Sequence, residues 1–189
     1  MRRDNKNEKI LSVAAHLISK EGYTGVSLQE IANKVGLHKS SLFHYIKNKE
    51  ELLLLIFNKS YEEVNRTLKE INVDISLEPE EKLKKAIDSH LTLLIEHFDS
   101  TNIFLHQIKR LPKKNQSIFL KERKEYEKNF QKIIVEMKRK GYFEGLDKQI
   151  VTLGLLGMLN WVPVWFRRDG RLTIKEISNI FYRLIVEKL

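Results

Sequence analysis

Only eight glycines and three prolines punctuate the 189 residues of this chain. Folds made of short strands need a turn about every 8–12 residues, and turns draw on those two residue types. A chain so poor in them can hardly change direction that often, which leaves long uninterrupted helices. The apolar residues agree. Leu54, Phe57, Tyr61, Val64, Leu68 and Ile71 recur at alternating intervals of three and four, keeping one helical face apolar for several turns. No stretch sustains the alternation of a strand. The expected fold class is all-α, with about nine helices.

Local signals place most of the helix ends. Ile10, Ala14, Leu17 and Ile18 mark a first helix that Gly22 stops. Ser27-x-x-Glu30 is a capping box opening a second helix, which buries Leu28, Ile31, Ala32 and Val35 before a turn at Gly36. A third helix spans roughly His38 to Tyr45, and Asn48-x-x-Glu51 caps the long fourth. A loop over Asn72 to Glu78 leads to Pro79, a favoured first helical residue. Leu83, Ile87, Leu91, Leu94 and Phe98 then read as one helical face, and a shorter helix runs from about Asn102 to Leu111. Phe119, Tyr126, Phe130, Ile133 and Met137 share a face of a long helix that Gly141 ends. Helices near 147–166 and 173–188 complete the chain, the last opened by a Thr173-x-x-Glu176 box.

Composition narrows the function classes. Hydrophobic residues make up 42% and charged residues 31%, as in a globular chain with a core. With no cysteine, disulfides, thiolate zinc sites and cysteine nucleophiles are excluded together. The first ten residues contain no apolar stretch of the kind a secretion signal needs. The most apolar run, Ile150 to Phe166, is interrupted by Thr152, Gly154, Gly157, Asn160 and Pro163 and is short for a membrane span. The expectation is a cytoplasmic protein that does not enter the membrane. No phosphate-binding glycine loop, nucleophile elbow or HExxH motif is present, so neither an enzyme nor a bound cofactor or metal is expected. His90 and His97 are seven apart, a spacing that does not suit a metal.

The net charge of +9, from 34 basic and 25 acidic residues, points to an anionic partner. It is unevenly distributed. Residues 1–50 carry +4, residues 51–100 carry −5, and residues 101–150 carry +7. One nucleic-acid footprint would not require both basic regions.

The first region has the sharper pattern. Two short helices joined by a one-glycine turn form a helix-turn-helix, whose second helix enters the DNA major groove. With Leu42 facing inward, Ser40 and His44 lie opposite it, flanked by Ser41 and Phe43. Small hydroxyls and an imidazole can approach base edges, while Lys39, Lys47 and Lys49 can meet phosphates.

The residues Gly22-Tyr23, Ser27-Leu28-Gln29-Glu30-Ile31-Ala32, Val35-Gly36-Leu37, Leu42-Phe43 and Lys47-Asn48-Lys49-Glu50-Glu51-Leu52 resemble the DNA-binding domain of the tetracycline-repressor (TetR) family. The resemblance implies a helix-turn-helix domain over 1–52 and an effector-binding and dimerisation domain over 53–189. It implies phosphate contacts from Ser27 and Lys49, base reading by Lys39, Ser40 and Ser41, and further DNA contacts from Gln29, His44 and Tyr45. Phe43 stands where the family usually has Tyr, so stacking on a sugar would replace a phosphate contact. Val26 stands where many members have Thr, and His38 where many have Ser.

For the remainder, Gly154 and Gly157 permit close helix approach, and Ile174, Ile177, Phe181 and Leu184 form an apolar stripe. Two such helices suggest a four-helix bundle across the two-fold axis of a homodimer. The pattern from Asn160-Trp161 through Trp165-Phe166 to Glu176-Ile177 resembles a subgroup of TetR regulators of fatty-acid and steroid degradation that respond to acyl-CoA thioesters. An effector pocket is expected to draw on Tyr61, His90, Leu94, His97, Tyr126, Phe130, Asn160, Trp161 and Trp165. Phosphates of a CoA group would meet Lys109, Arg110, Lys113, Lys114, Lys121, Arg123 and Lys124. The function implied is a ligand-responsive repressor of a palindromic operator. The alternatives are a regulator of another hydrophobic effector, such as an efflux regulator, and a ligand-binding helical protein without DNA binding.

Overall fold

The structure, a computed structural model, describes the backbone of residues 2–107 and 112–187 and the side chains of 5–103 and 112–187. Nine α-helices and no strands occur among the described residues. They are α1 (Arg2–Glu21), α2 (Leu28–Val35), α3 (Lys39–Leu42), α4 (Lys49–Val73), α5 (Pro79–Glu96), α6 (Phe98–Gln107), α7 (Lys113–Arg139), α8 (Lys148–Trp165) and α9 (Ile174–Val186). No helix among the described residues is long and apolar enough to cross a membrane.

The chain forms two compact units. One joins Met1–Glu62 to His97–Leu120, and the other joins Glu63–Glu96 to Lys121–Leu189. Compactness therefore divides α4 at Glu62, some ten residues beyond the boundary expected at 52/53, and brings 97–120 into the first unit.

In the first unit, α1 packs against α2 and α6, and α2 against α3. Ile10, Ala14, Ile18, Ile31, Ala32, Leu42, Leu52 and Leu53 are wholly or almost wholly buried in its core. Burial of such side chains, each contributing about 1.5–3 kcal/mol, holds the short helices in place. Polar contacts fix α6 to α1. Asp99 bonds His16 at 3.0 Å, and the Asn102 amide donates to the Ser19 hydroxyl at 2.9 Å.

In the second unit, α5 packs against α8 and α9. Leu83, Ala86, Ile87 and Leu91 of α5, Phe130, Ile133, Ile134 and Met137 of α7, and Leu159 and Val162 of α8 are fully buried. The Lys82 ammonium, itself buried, donates to Glu136 at 3.0 Å and to the Asn72 carbonyl at 3.2 Å. Such a pair is strongly destabilising to break from one side only.

Several local expectations need correction. The first helix, marked by Ile10 to Ile18, begins as early as Arg2, because its polar first turns continue the helix beyond its apolar face. α4 runs to Val73, two residues into the expected loop. The face drawn from Leu83 to Phe98 is broken: α5 ends at Glu96, and Phe98 is exposed and opens α6. His90 and His97 therefore do not share a helix. Periodicity alone could not detect a break that involves neither glycine nor proline. The expected helix end at Leu111 lies outside the described residues.

Candidate nucleic-acid interface and effector site

The reading head starts with the turn after α1. Gly25 lies so close to the end of that helix that an added Cβ would fall 2.4 Å from the Glu21 carbonyl oxygen, so only glycine fits. Val26 is buried. Both halves of the α2 capping box form: the Glu30 amide donates to the Ser27 hydroxyl oxygen at 3.2 Å, and the Ser27 amide donates to the Glu30 carboxylate at 2.6 Å. The Ser27 amide, and after it the Ser27 hydroxyl, hydrogen-bond the Glu30 carboxylate and hold its carboxyl below the usual range. Gln29 is exposed and donates to Asn33 at 2.8 Å. Gly36 ends α2 at φ 76°, in the left-handed region.

The helix α3 spans four residues where His38 to Tyr45 was expected. His38 makes no side-chain cap, and after Leu42 the backbone bonds tighten, with the His44 amide reaching Ser41 at 3.3 Å and the Tyr45 amide reaching Leu42 at 2.9 Å. Serine, phenylalanine, histidine and tyrosine are middling helix formers, so a weakly capped helix shortens here. Lys39, Ser40, Phe43 and His44 are exposed, Ser41 and Tyr45 are half-buried, and Leu42 anchors the turn in the core. Phe43, at 46% exposure, presents an aromatic ring to solvent beside the small hydroxyls.

At the start of α4 the Asn48 side chain accepts from the Glu51 amide at 2.8 Å, and the Glu51 carboxylate accepts from the Lys47 amide. Lys49 is half-buried. Its ammonium donates to the Tyr23 carbonyl and lies 4.5 Å from the centre of the Tyr23 ring. Burial pulls its pKa below the ordinary lysine value.

The residues expected in the effector pocket divide. His90, Tyr126 and Phe130 come together in the second unit. The His90 Nδ1 lies 2.6 Å from the Tyr126 hydroxyl, the two rings stack at 5.6 Å, and Phe130 meets His90 edge-on at 6.2 Å. Burial lowers the His90 pKa to about 4, and the nearby Asn160 side chain offsets only part of that. Leu94 is half-buried. Tyr61 belongs to the first unit, stacked on Phe57 at 4.7 Å, and His97 also falls there. Trp161 and Trp165, expected in the pocket, are instead 62% and 45% exposed, because they lie on the outer face of α8.

Of the expected dimer residues, Gly154 and Gly157 are exposed, and a Cβ at either would meet nothing within 4 Å. Leu184 is exposed, Ile174 and Phe181 are half-buried, and Ile177 is buried within its own unit. Exposed Ile150, Leu153, Val164 and Ile180 extend the apolar surface of α8 and α9.

Lys113, Lys114, Lys121, Arg123 and Lys124 are exposed along α7, with Arg123 paired to Glu127 at 2.7 Å, while Lys109 and Arg110 lie outside the described residues. A cleft of about 410 Å³ gathers other cations: Lys128, Lys132, Arg139 and Lys148, with Asn72 and Glu136. The spacing of Lys128, Lys132 and Arg139 on one helical face was readable in sequence, but the approach of Lys148 was not.

Comparison with known proteins agrees with this architecture. Residues 10–56 match the family model of bacterial regulatory proteins of the tetR family, and residues 76–189 match the tetracyclin repressor-like C-terminal domain. The chain is 22% identical over 186 residues to the HTH-type transcriptional repressor KstR2 of Mycobacterium tuberculosis, covering 97% of this chain and 92% of the relative. It is 24% identical over 190 residues to the fatty acid metabolism regulator protein of Bacillus subtilis, covering 96% and 94%. The crystal structure of AibR in complex with isovaleryl coenzyme A and operator DNA superposes with a TM-score of 0.84 at 28% identity, covering 95% of this chain and 97% of the other. A helix-turn-helix head followed by a helical C-terminal domain, matched by family models over both parts, makes this chain a member of the TetR family of bacterial transcriptional regulators.

Proposed function

We propose that this protein is a homodimeric, cytoplasmic repressor that leaves a palindromic operator when it binds an acyl-CoA, and that it is not an enzyme. The observation that carries the reading is the likeness, over 95% of the chain, to a regulator solved with both isovaleryl coenzyme A and operator DNA. Residues 1–52 act as the reading head and 53–189 as the effector and dimerisation domain. Lys39, Ser40, Ser41 and His44 face base edges, and Ser27, Gln29, Phe43, Tyr45 and Lys49 face the backbone. In a two-fold dimer, two such heads sit in successive major grooves about 34–36 Å apart. Gly154, Gly157, Ile174, Phe181 and Leu184 contribute to the dimer contact.

The effector site is built around His90, Leu94, Tyr126, Phe130 and Asn160. The four cations of the α7 cleft support an effector that is anionic as well as apolar. Because α4 is continuous from Lys49 to Val73, a shift of its effector-side half would be felt at Lys49. An effector that prefers one dimer spacing lowers DNA affinity by that preference, about 1–3 kcal/mol or 5–150-fold in known couplings. Fluorescence anisotropy with DNA from the region upstream of the protein's own gene tests both halves. Tight binding that acyl-CoA weakens supports the reading. Tight binding that saturating acyl-CoA leaves unchanged removes the effector, and absence of binding removes the repressor.

A further inference from the structure

His90 is fully enclosed, yet half of its hydrogen-bonding capacity is unused. Nδ1 is engaged by the Tyr126 hydroxyl at 2.6 Å, whereas Nε2 is buried with no hydrogen-bond partner among the described residues. Leaving a polar atom unpaired in such a place is costly, and a native fold rarely keeps one without a reason. Phe130 stands edge-on to the ring, and the Asn160 side chain is the polar group that acts on it, raising its pKa a little against burial without closing a hydrogen bond to Nε2.

The Tyr126 contact decides what Nε2 can offer. A phenol O–H is a good donor to an imidazole nitrogen, and a neutral imidazole carries one proton on one of its two nitrogens. In the tautomer in which Tyr126 donates to Nδ1, the proton resides on Nε2, an N–H that completes no hydrogen bond among the described residues. We infer that Nε2–H of His90 is the group that recognises the carbonyl oxygen of the effector's acyl thioester, with Tyr126 as the positioning residue that holds the tautomer. This rests on the acyl-CoA reading above and adds the atom that distinguishes the ligand's head.

The chemistry of the acceptor follows from the same surroundings. A ring stacked on Tyr126 and edged by Phe130 stays uncharged at neutral pH, since burial holds its pKa near 4. A carboxylate placed there would lose its hydration without gaining an opposite charge. A thioester carbonyl is neutral, requires one donor and gives up little hydration. The site therefore favours the thioester over the corresponding free acid, in addition to whatever the CoA group contributes elsewhere.

The test compares ligands that differ only at the carbonyl. Isovaleryl-, octanoyl- and palmitoyl-CoA and the matching S-alkyl-CoA thioethers, which lack the carbonyl, are titrated into the full-length protein by calorimetry. The thioester should bind about tenfold more tightly than its thioether, the worth of one buried hydrogen bond. His90→Leu should remove that difference, and His90→Gln, whose amide can donate, should restore part of it; circular dichroism establishes that each variant is folded. Equal affinity of thioester and thioether for the wild-type protein overturns the role of His90 and leaves the acyl-CoA reading standing. Failure of every CoA derivative to bind overturns that reading and this inference with it.

Discussion

The ammonium of Lys49 rests on Tyr23, donating to its carbonyl and lying 4.5 Å from the ring centre, so the first residue of α4 is tied to the turn between α1 and α2. The link fixes the end of α4 beside the part of the head that would face DNA phosphates. Lys49→Ala should weaken binding to all DNA sequences alike and lower the slope of log affinity against log salt by about one. Anisotropy titrations across a salt series measure both, and an unchanged slope would remove Lys49 from the DNA contact.

Ser27 caps α2 and is proposed to contact DNA. Ser27→Ala should therefore destabilise the head by about 1 kcal/mol and also weaken operator binding. Ser27→Gly should cost only a few tenths of a kcal/mol in stability while losing the same DNA contact. Urea denaturation and anisotropy on both variants separate the roles. Equal DNA affinity in wild type and Ser27→Gly would confine Ser27 to capping.

His90 should make the second unit acid-sensitive. Its pKa falls from 6.5 in the unfolded chain to about 4 when buried, so the unfolded state binds more protons between those values. The stability associated with the neutral ring is complete above about pH 6.5 and is lost as pH falls toward 4, a change of about 3 kcal/mol. His90→Leu should flatten this part of the curve. Urea melts at several pH values between 7.5 and 4.5 will show whether the two curves run parallel, which would assign the acid loss to other groups.

The outer faces of α8 and α9 leave Trp161, Leu184 and Ile180 exposed at 62%, 49% and 41%. A charge at the centre of a dimer contact would have to be desolvated on both sides of the two-fold axis. Leu184→Glu should therefore halve the mass measured by light scattering and lower operator affinity, with helicity unchanged. A variant that remains dimeric would move the interface away from α9.

Much of the architecture was legible in the chain because its determinants are local. The Ser27–Glu30 and Thr173–Glu176 boxes, the stop at Gly36 and the stripe on α7 each act within a few residues, where helix geometry dictates which atoms meet. Periodicity shows that Tyr126 and Phe130 face inward; it cannot say what covers them. Packing across elements supplied His90 to Tyr126, 36 positions away, and Glu136 to Lys82, 54 away. It also turned Trp161 and Trp165 outward and Ile177 inward, although all three belong to apolar helices. The short α3 falls between these cases: Phe43, His44 and Tyr45, which follow it, are middling helix formers, and Leu42 in the core holds the turn that local propensity would not. Sequence alone determined an all-helical chain with a DNA-reading head, since caps and stripes are written in near neighbours. Tertiary structure decided which polar atoms are left unpaired inside, since an atom's hydrogen-bond partners depend on every element packed around it.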